Sequence, residues 1–197
     1  MRSDYKLFQS HLDLAYHYWQ SVVELGDIVI DATCGNGKDT LKLAQLALEP
    51  ERGALYAYDI QAQAIATTQE YLAHNLSPTI ISRIKFMLAN HNTFDDRIHP
   101  SSVKLIVYNL GYLPGGNKTL TTQASTTTTS LQAAIHLIAP GGAISITCYP
   151  GHPAGIEEEK CVLEYAASLN PKEWSSCYHQ WLNRKAAPSL LLLQKCK

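Results

Sequence analysis

Two glycines and several acidic or amide side chains form the densest group of candidate site residues in the chain. The segment 31–40 reads Asp-Ala-Thr-Cys-Gly-Asn-Gly-Lys-Asp-Thr and follows the apolar run 28–30. Glycines at 35 and 37 let the backbone turn tightly and approach a ligand without an intervening Cβ. Asp31 suits an ammonium group and would repel a pyrophosphate. We therefore predict S-adenosylmethionine as the cofactor, bound by Asp31, Thr33, Gly35, Asn36, Gly37, Asp39 and Thr40, the alternative being a plain strand-to-helix turn.

A second acidic residue, Asp59, ends the next apolar run and lies 22 residues beyond Gly37. An acid at this place accepts hydrogen bonds from the two ribose hydroxyls of a bound nucleoside. Aspartate is also a favoured helix N-cap, and both roles can hold at once. Gln61 follows it as a further predicted cofactor contact. Asn90 and His91, after the third apolar run, are candidates for the adenine amino group, or else form a polar turn.

The fourth apolar run ends in Asn-Leu-Gly-Tyr-Leu-Pro-Gly-Gly at 109–116. An Asn here, followed by a backbone kink and a Tyr, resembles the Asn-Pro-Pro-Tyr loop of amine-directed methyltransferases. A nitrogen nucleophile must aim its lone pair at the sulfonium methyl while acceptors hold its N–H groups. The Asn109 side chain and the Leu110 carbonyl are the predicted acceptors, and Tyr112 would pack against the substrate. Positioning and electrostatics would then supply most of the rate. Asn109 would also border the cofactor, and the predicted substrate contacts are Pro114, Gly115 and Gly116.

Two later segments add candidates at the same edge of the predicted sheet. His152 would be a general base or a substrate contact, because an ordinary histidine pKa of ~6.5 lets it accept a proton at neutral pH; the alternative is a surface-turn histidine. Arg184 and Lys185 would meet RNA phosphates at the tip of a predicted hairpin, although such charges are often only solvated. His17, in the first helix, would reach the cofactor carboxylate or lie on the helix surface.

The alternation of apolar runs with helical patterns predicts the elements that position these residues. After a short helix at 12–25, strands are predicted at 28–30, 54–58, 84–88, 103–108 and 143–149, with helices at 40–48, 61–74, 131–138 and 154–169. Two final strands, 174–182 and 189–194, have no helix between them and form an antiparallel hairpin. Consecutive strand–helix units give a parallel sheet covered on both faces. We therefore predict an α/β fold of the Rossmann-like class I methyltransferase type, with a seven-stranded, mostly parallel sheet in one domain over 1–197.

Composition narrows the classes of protein. The 197 residues have a net charge of -1, 46% hydrophobic and 17% charged side chains, so RNA contact would need a local basic patch. The five cysteines are scattered, without a Cys-x-x-Cys pair, which argues against a disulfide scaffold or a metal site. Residues 1–10 are polar, and no apolar run approaches the ~20 residues that span a bilayer. We expect a cytoplasmic protein that does not enter membranes.

Taken together, the motifs resemble one family, the putative rRNA methylases. The resemblance rests on segments 26–40, 109–116, the threonine-rich run from 119, 149–152 and 183–188. It implies methylation of 5-aminomethyl-2-thiouridine at the tRNA wobble position, the modification assigned to members of the family. The chain departs from the family at Asn117, where an acidic residue is usual, and at Ala187, where the family tends to have Pro-Pro.

The predicted function is methyl transfer from S-adenosylmethionine to an amine nitrogen of RNA, with tRNA as the first candidate and rRNA or another amine as the alternative. His152, Tyr112 or water would take the proton of the amine. A homodimer is left open. An NAD-dependent oxidoreductase would also use a glycine-rich turn and Asp59, but Asp31 and the missing third glycine argue against it. A non-catalytic RNA-binding adaptor is the third alternative, opposed by the intact loop at Asn109.

Overall fold

The computed structural model of the protein describes residues 10–111 and 121–197. In this part of the chain the helices are α1 (His11–Val22), α2 (Lys38–Ala47), α3 (Ala62–Asn75), α4 (Pro78–Ile81), α5 (Ala124–Leu137) and α6 (Pro153–Ser168). The strands are β1 (Ile28–Asp31), β2 (Ala54–Asp59), β3 (Ile84–Leu88), β4 (Val103–Asn109), β5 (Ile138–Cys148), β6 (Trp174–His179) and β7 (Ser189–Lys195).

These strands form one seven-stranded sheet in the order β3-β2-β1-β4-β5-β7-β6. Strands β1 to β5 are parallel, whereas β7 runs antiparallel to both β5 and β6. The predicted mostly parallel sheet with an antiparallel C-terminal hairpin is therefore confirmed. Chain order reverses direction at β1 and β4, and ligands bind beside the carboxyl ends of the strands at such a point.

Helices cover both faces of the sheet. On one face, α1 and α2 bury Trp19 and Leu43 against Val29 of β1. On the other, α5 and α6 bury Leu131 and other apolar side chains against the next residue of β1, Ile30. Successive strand residues point to opposite faces, so residues 28–30 of β1 are all apolar because both faces of the strand are covered.

Two elements differ from the predicted bounds because contacts beyond the local sequence decide them. Helix α5 begins at Ala124 instead of 131, so the four threonines at 126–129 lie in its first half. The hydroxyls of Thr128 and Thr129 donate to carbonyls four residues earlier. Strand β5 begins at Ile138 and includes Pro140–Gly142, which we predicted would end the helix. Gly141 has a φ of 73°, and the pairing of β5 with β4 shifts register at this point, as expected for a bulge.

The remaining differences are small. Helix α1 ends at Val22 rather than at 25, because Val23 is already extended. Strand β6 stops at His179, short of the predicted 182. The single-turn helix α4, capped by Ser77, was not predicted. All five cysteines are free thiols, and no helix in the described ranges has the length and apolar character to cross a membrane.

Candidate active site

Asp31 ends β1 and is fully buried. Its carboxylate accepts hydrogen bonds from Thr40 Oγ1 at 2.6 Å and from the Thr33 N–H at 3.2 Å. Burial, and then the nearby charge of Asp39, raise the pKa of Asp31 to about 7 against the effect of those two hydrogen bonds. A buried carboxyl group with a raised pKa is ionised most readily beside a positive charge. This environment suits an ammonium group of a ligand.

The glycine turn lies between β1 and α2. Gly35 and Gly37 have φ values of 52° and 80°, and Gly37 caps α2. A Cβ built on Gly37 would lie 3.1 Å from Thr68 Cα of helix α3, so glycine is required there by both conformation and space. Thr68 Oγ1 also donates to the Gly35 carbonyl at 2.9 Å. The turn, with Asn36 between the glycines, is thus fixed against α3.

Asp59 joins two loops at the end of β2. It accepts the N–H of Gly35 at 3.1 Å and the N–H of Gln61 at 2.9 Å, one on each carboxylate oxygen. Burial raises the pKa of Asp59, and these backbone hydrogen bonds oppose the rise. Each oxygen keeps a second lone pair. Asp59 therefore has a structural role at the start of α3 and retains acceptor capacity for two ribose hydroxyls.

The two adenine candidates lie just after β3 and have different surroundings. Asn90 Oδ1 accepts the N–H of Asn92 at 3.0 Å, which closes a polar turn. The His91 ring is buried edge-to-face on Tyr108, with ring centroids 5.7 Å apart. Burial lowers the pKa of His91 to about 4, so its ring is neutral at pH 7. The less buried Asn90 is therefore the more accessible of the two.

Asn109, at the end of β4, is fixed from two sides. Its N–H donates to Thr33 Oγ1 at 2.7 Å, and its Nδ2 donates to Asp39 Oδ2. Tyr16, from α1, donates its hydroxyl to the other oxygen of Asp39 at 2.5 Å. Because the amide nitrogen faces Asp39, the amide oxygen is the free end: Asn109 Oδ1 is buried, and no described residue donates to it. An unused buried acceptor is costly unless a ligand supplies the donor.

The segment after Asn109 is held by a buried carboxylate. The Leu110 N–H donates to the Thr147 carbonyl at 2.9 Å, and the Gly111 N–H donates to Thr122 Oγ1 at 2.7 Å. Thr122 Oγ1 in turn donates to Glu158 Oε2 at 2.6 Å, and Thr127 Oγ1 donates to Glu158 Oε1 at 2.6 Å. Glu158, on α6, is 2% exposed, and burial raises its pKa. The predicted contacts Tyr112, Pro114, Gly115 and Gly116 lie outside the described residues.

His152 caps α6. Its Nδ1 accepts the N–H of Gly155 at 3.0 Å. An N–H donor at Nδ1 requires a lone pair there, so the neutral ring carries its proton on Nε2. In this arrangement the second ring nitrogen, Nε2, carries the proton, so His152 could act as a base only after the cap hydrogen bond breaks.

Three other predicted side chains lie at the surface. Arg184 and Lys185 are both exposed between β6 and β7, and the Arg184 guanidinium lies 4.4 Å from the centre of the Trp181 ring. His17 is exposed and bonded to the Asp13 carbonyl at 3.0 Å, which favours its surface interpretation.

Sequence reasoning missed Tyr16 and Glu158. Tyr16 comes from a helix that precedes the first strand, and nothing in the local sequence indicates that this helix docks on α2. Glu158 belongs to a run of three glutamates, which is typical of a solvated helix face. A clue was available, since Glu158, Val162 and Ala166 recur every four residues and all are buried.

Comparisons with known proteins find similar sequences and similar folds. Residues 55–195 match the family described as putative rRNA methylase. The chain is 37% identical over 187 residues to the chloroplastic tRNA (mnm(5)s(2)U34)-methyltransferase of Arabidopsis thaliana, covering 93% of this chain and 68% of the relative. A putative rRNA-methylase of Clostridium thermocellum superposes with a TM-score of 0.89 at 34% identity, covering 95% of this chain and 98% of the other. SMU.1697c of Streptococcus mutans, a putative methyltransferase in complex with SAH, gives 0.83 at 29%, covering 95% and 99%. The predicted class I methyltransferase fold is confirmed.

Proposed function

Since the chain belongs to the family of putative rRNA methylases and is an S-adenosylmethionine-dependent methyltransferase, we propose that it methylates an amine nitrogen of RNA. The oxidoreductase and the non-catalytic adaptor are thereby set aside. The specific target that we propose is the 5-aminomethyl group of 5-aminomethyl-2-thiouridine at the tRNA wobble position. The name of the Arabidopsis relative, a methyltransferase for mnm(5)s(2)U34 of tRNA, supports this choice over rRNA.

One observation supports an amine as the group that receives the methyl: the buried Asn109 Oδ1 accepts no hydrogen bond from any described residue. An amine about to be methylated has N–H groups that need acceptors and a lone pair that must stay free. Asn109 Oδ1 and the Leu110 carbonyl would take the N–H groups and leave the lone pair aimed at the methyl group. The bound cofactor supplies an electrophilic methyl on a sulfonium. Transfer of that methyl group to the nitrogen would leave the electron pair of the broken C–S bond on sulfur.

The cofactor would be held at the ends of β1 to β3. Asp31 would face its ammonium group, and Asp59 would accept from its ribose hydroxyls. Gly35 and Gly37 would let the backbone approach, and Asn90 or His91 would meet the adenine. The side chains of Thr33, Asp39 and Thr40 support this site indirectly, because they bond Asn109 or Asp31. Asn36 and Gln61 would line it from the two loops.

The amine must also lose a proton. A primary alkylamine is mostly protonated at pH 7, and an ammonium has no lone pair to attack with. His152, Tyr112 or water would take this proton. Because the His152 ring carries its proton on Nε2 while it caps α6, His152 would have to break that cap hydrogen bond before it could take the proton. Arg184 and Lys185 would contact phosphates of the RNA at the hairpin tip.

The decisive experiment separates catalysis from binding. Asn109→Ala should lower turnover by about 10²–10³, by analogy with the removal of one positioned acceptor or donor at other reacting centres. Affinity for S-adenosylhomocysteine should stay within about twofold, because Asp31 and Asp59 are proposed to hold the far side of the ligand. Asn75→Ala, an exposed amide at the end of α3, is the matched control. Wild-type turnover in the Asn109→Ala enzyme would refute the positioning role.

The same assay tests the substrate. Methyl transfer should be measured on tRNA with 5-aminomethyl-2-thiouridine, on tRNA that lacks it, and on rRNA. Equal rates on the two tRNAs would refute the wobble uridine and leave the methyltransferase intact. We also propose a cytoplasmic location, although the Arabidopsis relative is named as chloroplastic. A homodimer stays an untested expectation.

A further inference from the structure

A cavity of about 270 Å³ lies beside the hairpin of β6 and β7. Its lining includes Pro150 after β5, Glu159 from α6, and Tyr178, Trp181 and Arg184 from the hairpin. None of these except Arg184 has a place in the proposed reaction.

The register of the sheet places this cavity near Asn109. Asn109 pairs with Thr147 of β5, and the following residue of β5, Cys148, pairs with Ser189 of β7, which also lines the cavity. Neighbouring strands lie ~4.8 Å apart, so two strand spacings separate Asn109 from this wall by roughly 10 Å. A nucleotide that is directly adjacent to the methylated one in the RNA chain would therefore reach the cavity.

The walls combine aromatic rings with a carboxylate. The Trp181 ring packs against the Arg184 guanidinium, with 4.4 Å between the guanidinium carbon and the ring centre. Glu159 Oε1 accepts from the Tyr178 hydroxyl at 3.0 Å and from Ser189 Oγ. No described residue is bonded to Glu159 Oε2, which leaves that oxygen as an acceptor. Positive charge lies at the rim, where Arg184 and Lys185 are exposed.

This arrangement fits a nucleobase better than a phosphate. A phosphate inside the cavity would face the Glu159 carboxylate, whereas a base has N–H donors for that carboxylate and a flat face for stacking. Single-stranded RNA is commonly recognised by bases stacked on aromatic rings or arginine planes. With a net charge of -1, the chain has no general attraction for RNA, and its contacts must be local.

We propose that this cavity binds the unstacked base of a nucleotide that flanks the methylated uridine. The base would contact Trp181 and Arg184 with its face and donate an imino or amino N–H to Glu159. This inference rests on the proposed function, since it takes RNA as the substrate. The alternative occupant is a lysine or arginine side chain of a protein partner, which would also pair with Glu159.

The test couples a protein change to an RNA change. The substrate is an anticodon stem-loop with 5-aminomethyl-2-thiouridine, made intact or with an abasic site at either flanking nucleotide. Stacking of one base on an aromatic side chain is worth enough that Trp181→Ala should raise KM for the intact RNA roughly 5- to 100-fold, with little change in kcat. One abasic site should raise KM similarly in the wild type and no further in Trp181→Ala. Leu182→Ala, at the adjacent, 93% exposed position, should behave as wild type.

Each outcome is decisive. If neither abasic site changes KM of the wild-type enzyme, the inference is wrong, and this arm needs no folded variant. If the increases in KM caused by Trp181→Ala and by the abasic site simply multiply, Trp181 acts only on the fold and the inference is also wrong. Competition by oligolysine that disappears in Glu159→Gln would assign the cavity to a cationic peptide instead. Absence of methyl transfer to any stem-loop would instead refute the proposed wobble-uridine target, on which this inference rests.

Discussion

Glu158 should hold the segment around the reacting amine, and its removal has a cost that the structure allows us to work out. Glu158→Ala leaves the buried Thr127 hydroxyl without its acceptor, at about 1–3 kcal/mol, and the half-buried Thr122 hydroxyl at about 1 kcal/mol. The loss of buried methylene adds about 0.8 kcal/mol. Against this, the variant no longer buries a carboxylate whose pKa is raised. We expect the free energy of unfolding to fall by about 2–4 kcal/mol at pH 7.

Urea unfolding followed by circular dichroism measures this change. Glu157→Ala, the exposed preceding residue, is the matched control and should stay within about 0.5 kcal/mol of wild type. The variant Glu158→Gln should show in which direction titration of Glu158 changes the free energy of unfolding. Because the folded pKa lies above the unfolded one, the wild-type protein loses stability as pH rises through the folded pKa. Glu158→Gln lacks that loss and should gain in stability relative to wild type as the pH rises above the ordinary glutamate pKa.

The reasoning fails if Glu158→Ala unfolds within 0.5 kcal/mol of wild type. Turnover gives an independent readout, since Glu158 acts through Thr122 on Gly111, two residues after Asn109. We expect turnover to fall in Glu158→Ala while affinity for S-adenosylhomocysteine is retained. Equal losses of both would indicate general unfolding instead of a local role.

Three further outcomes are expected. If Asp31, with a pKa of about 7, faces the ligand ammonium, affinity for S-adenosylhomocysteine should fall by up to about tenfold per pH unit below 7 in calorimetry, whereas a flat profile would exclude that contact. Asp59→Ala should weaken the same affinity roughly tenfold or more by removing two hydrogen bonds of ~1 kcal/mol each, and unchanged affinity in the folded variant would remove the ribose assignment. Replacing both Arg184 and Lys185 by alanine should weaken tRNA binding and reduce the slope of log K against log salt by about 1.4, and an unaltered slope would show that neither meets a phosphate.

The sheet and the ends of its strands could be predicted because they depend on local pattern. Apolar runs followed by Asp31, Asp59 and Asn109 mark where parallel strands end, and the glycine pair marks a turn of unusual conformation. The same logic predicted the reversed hairpin from two strands without a helix between them.

What could not be predicted depends on distant partners. Threonine has a low helix propensity, so the sequence of the first half of α5 does not predict a helix. The buried Thr127 hydroxyl donates to Glu158, 31 residues away. The docking of Tyr16 on Asp39 likewise joins residues 23 positions apart. The sequence around Thr127 and around Tyr16 contains no local pattern that predicts which residue each side chain contacts.

The reversal of strand order at β1 and β4 separates the two groups of proposed site residues. The residues proposed to hold the methyl donor lie on the side of β1 to β3, and those proposed to hold the acceptor lie on the side of β4 to β7. The bond from Asn109 to Asp39, with Tyr16 behind it, crosses from one side to the other. With these proposed roles, substitutions on the acceptor side would change the molecule that is methylated without rebuilding of the donor side. The proposed role of the crossing bond is to hold the two reactants in register.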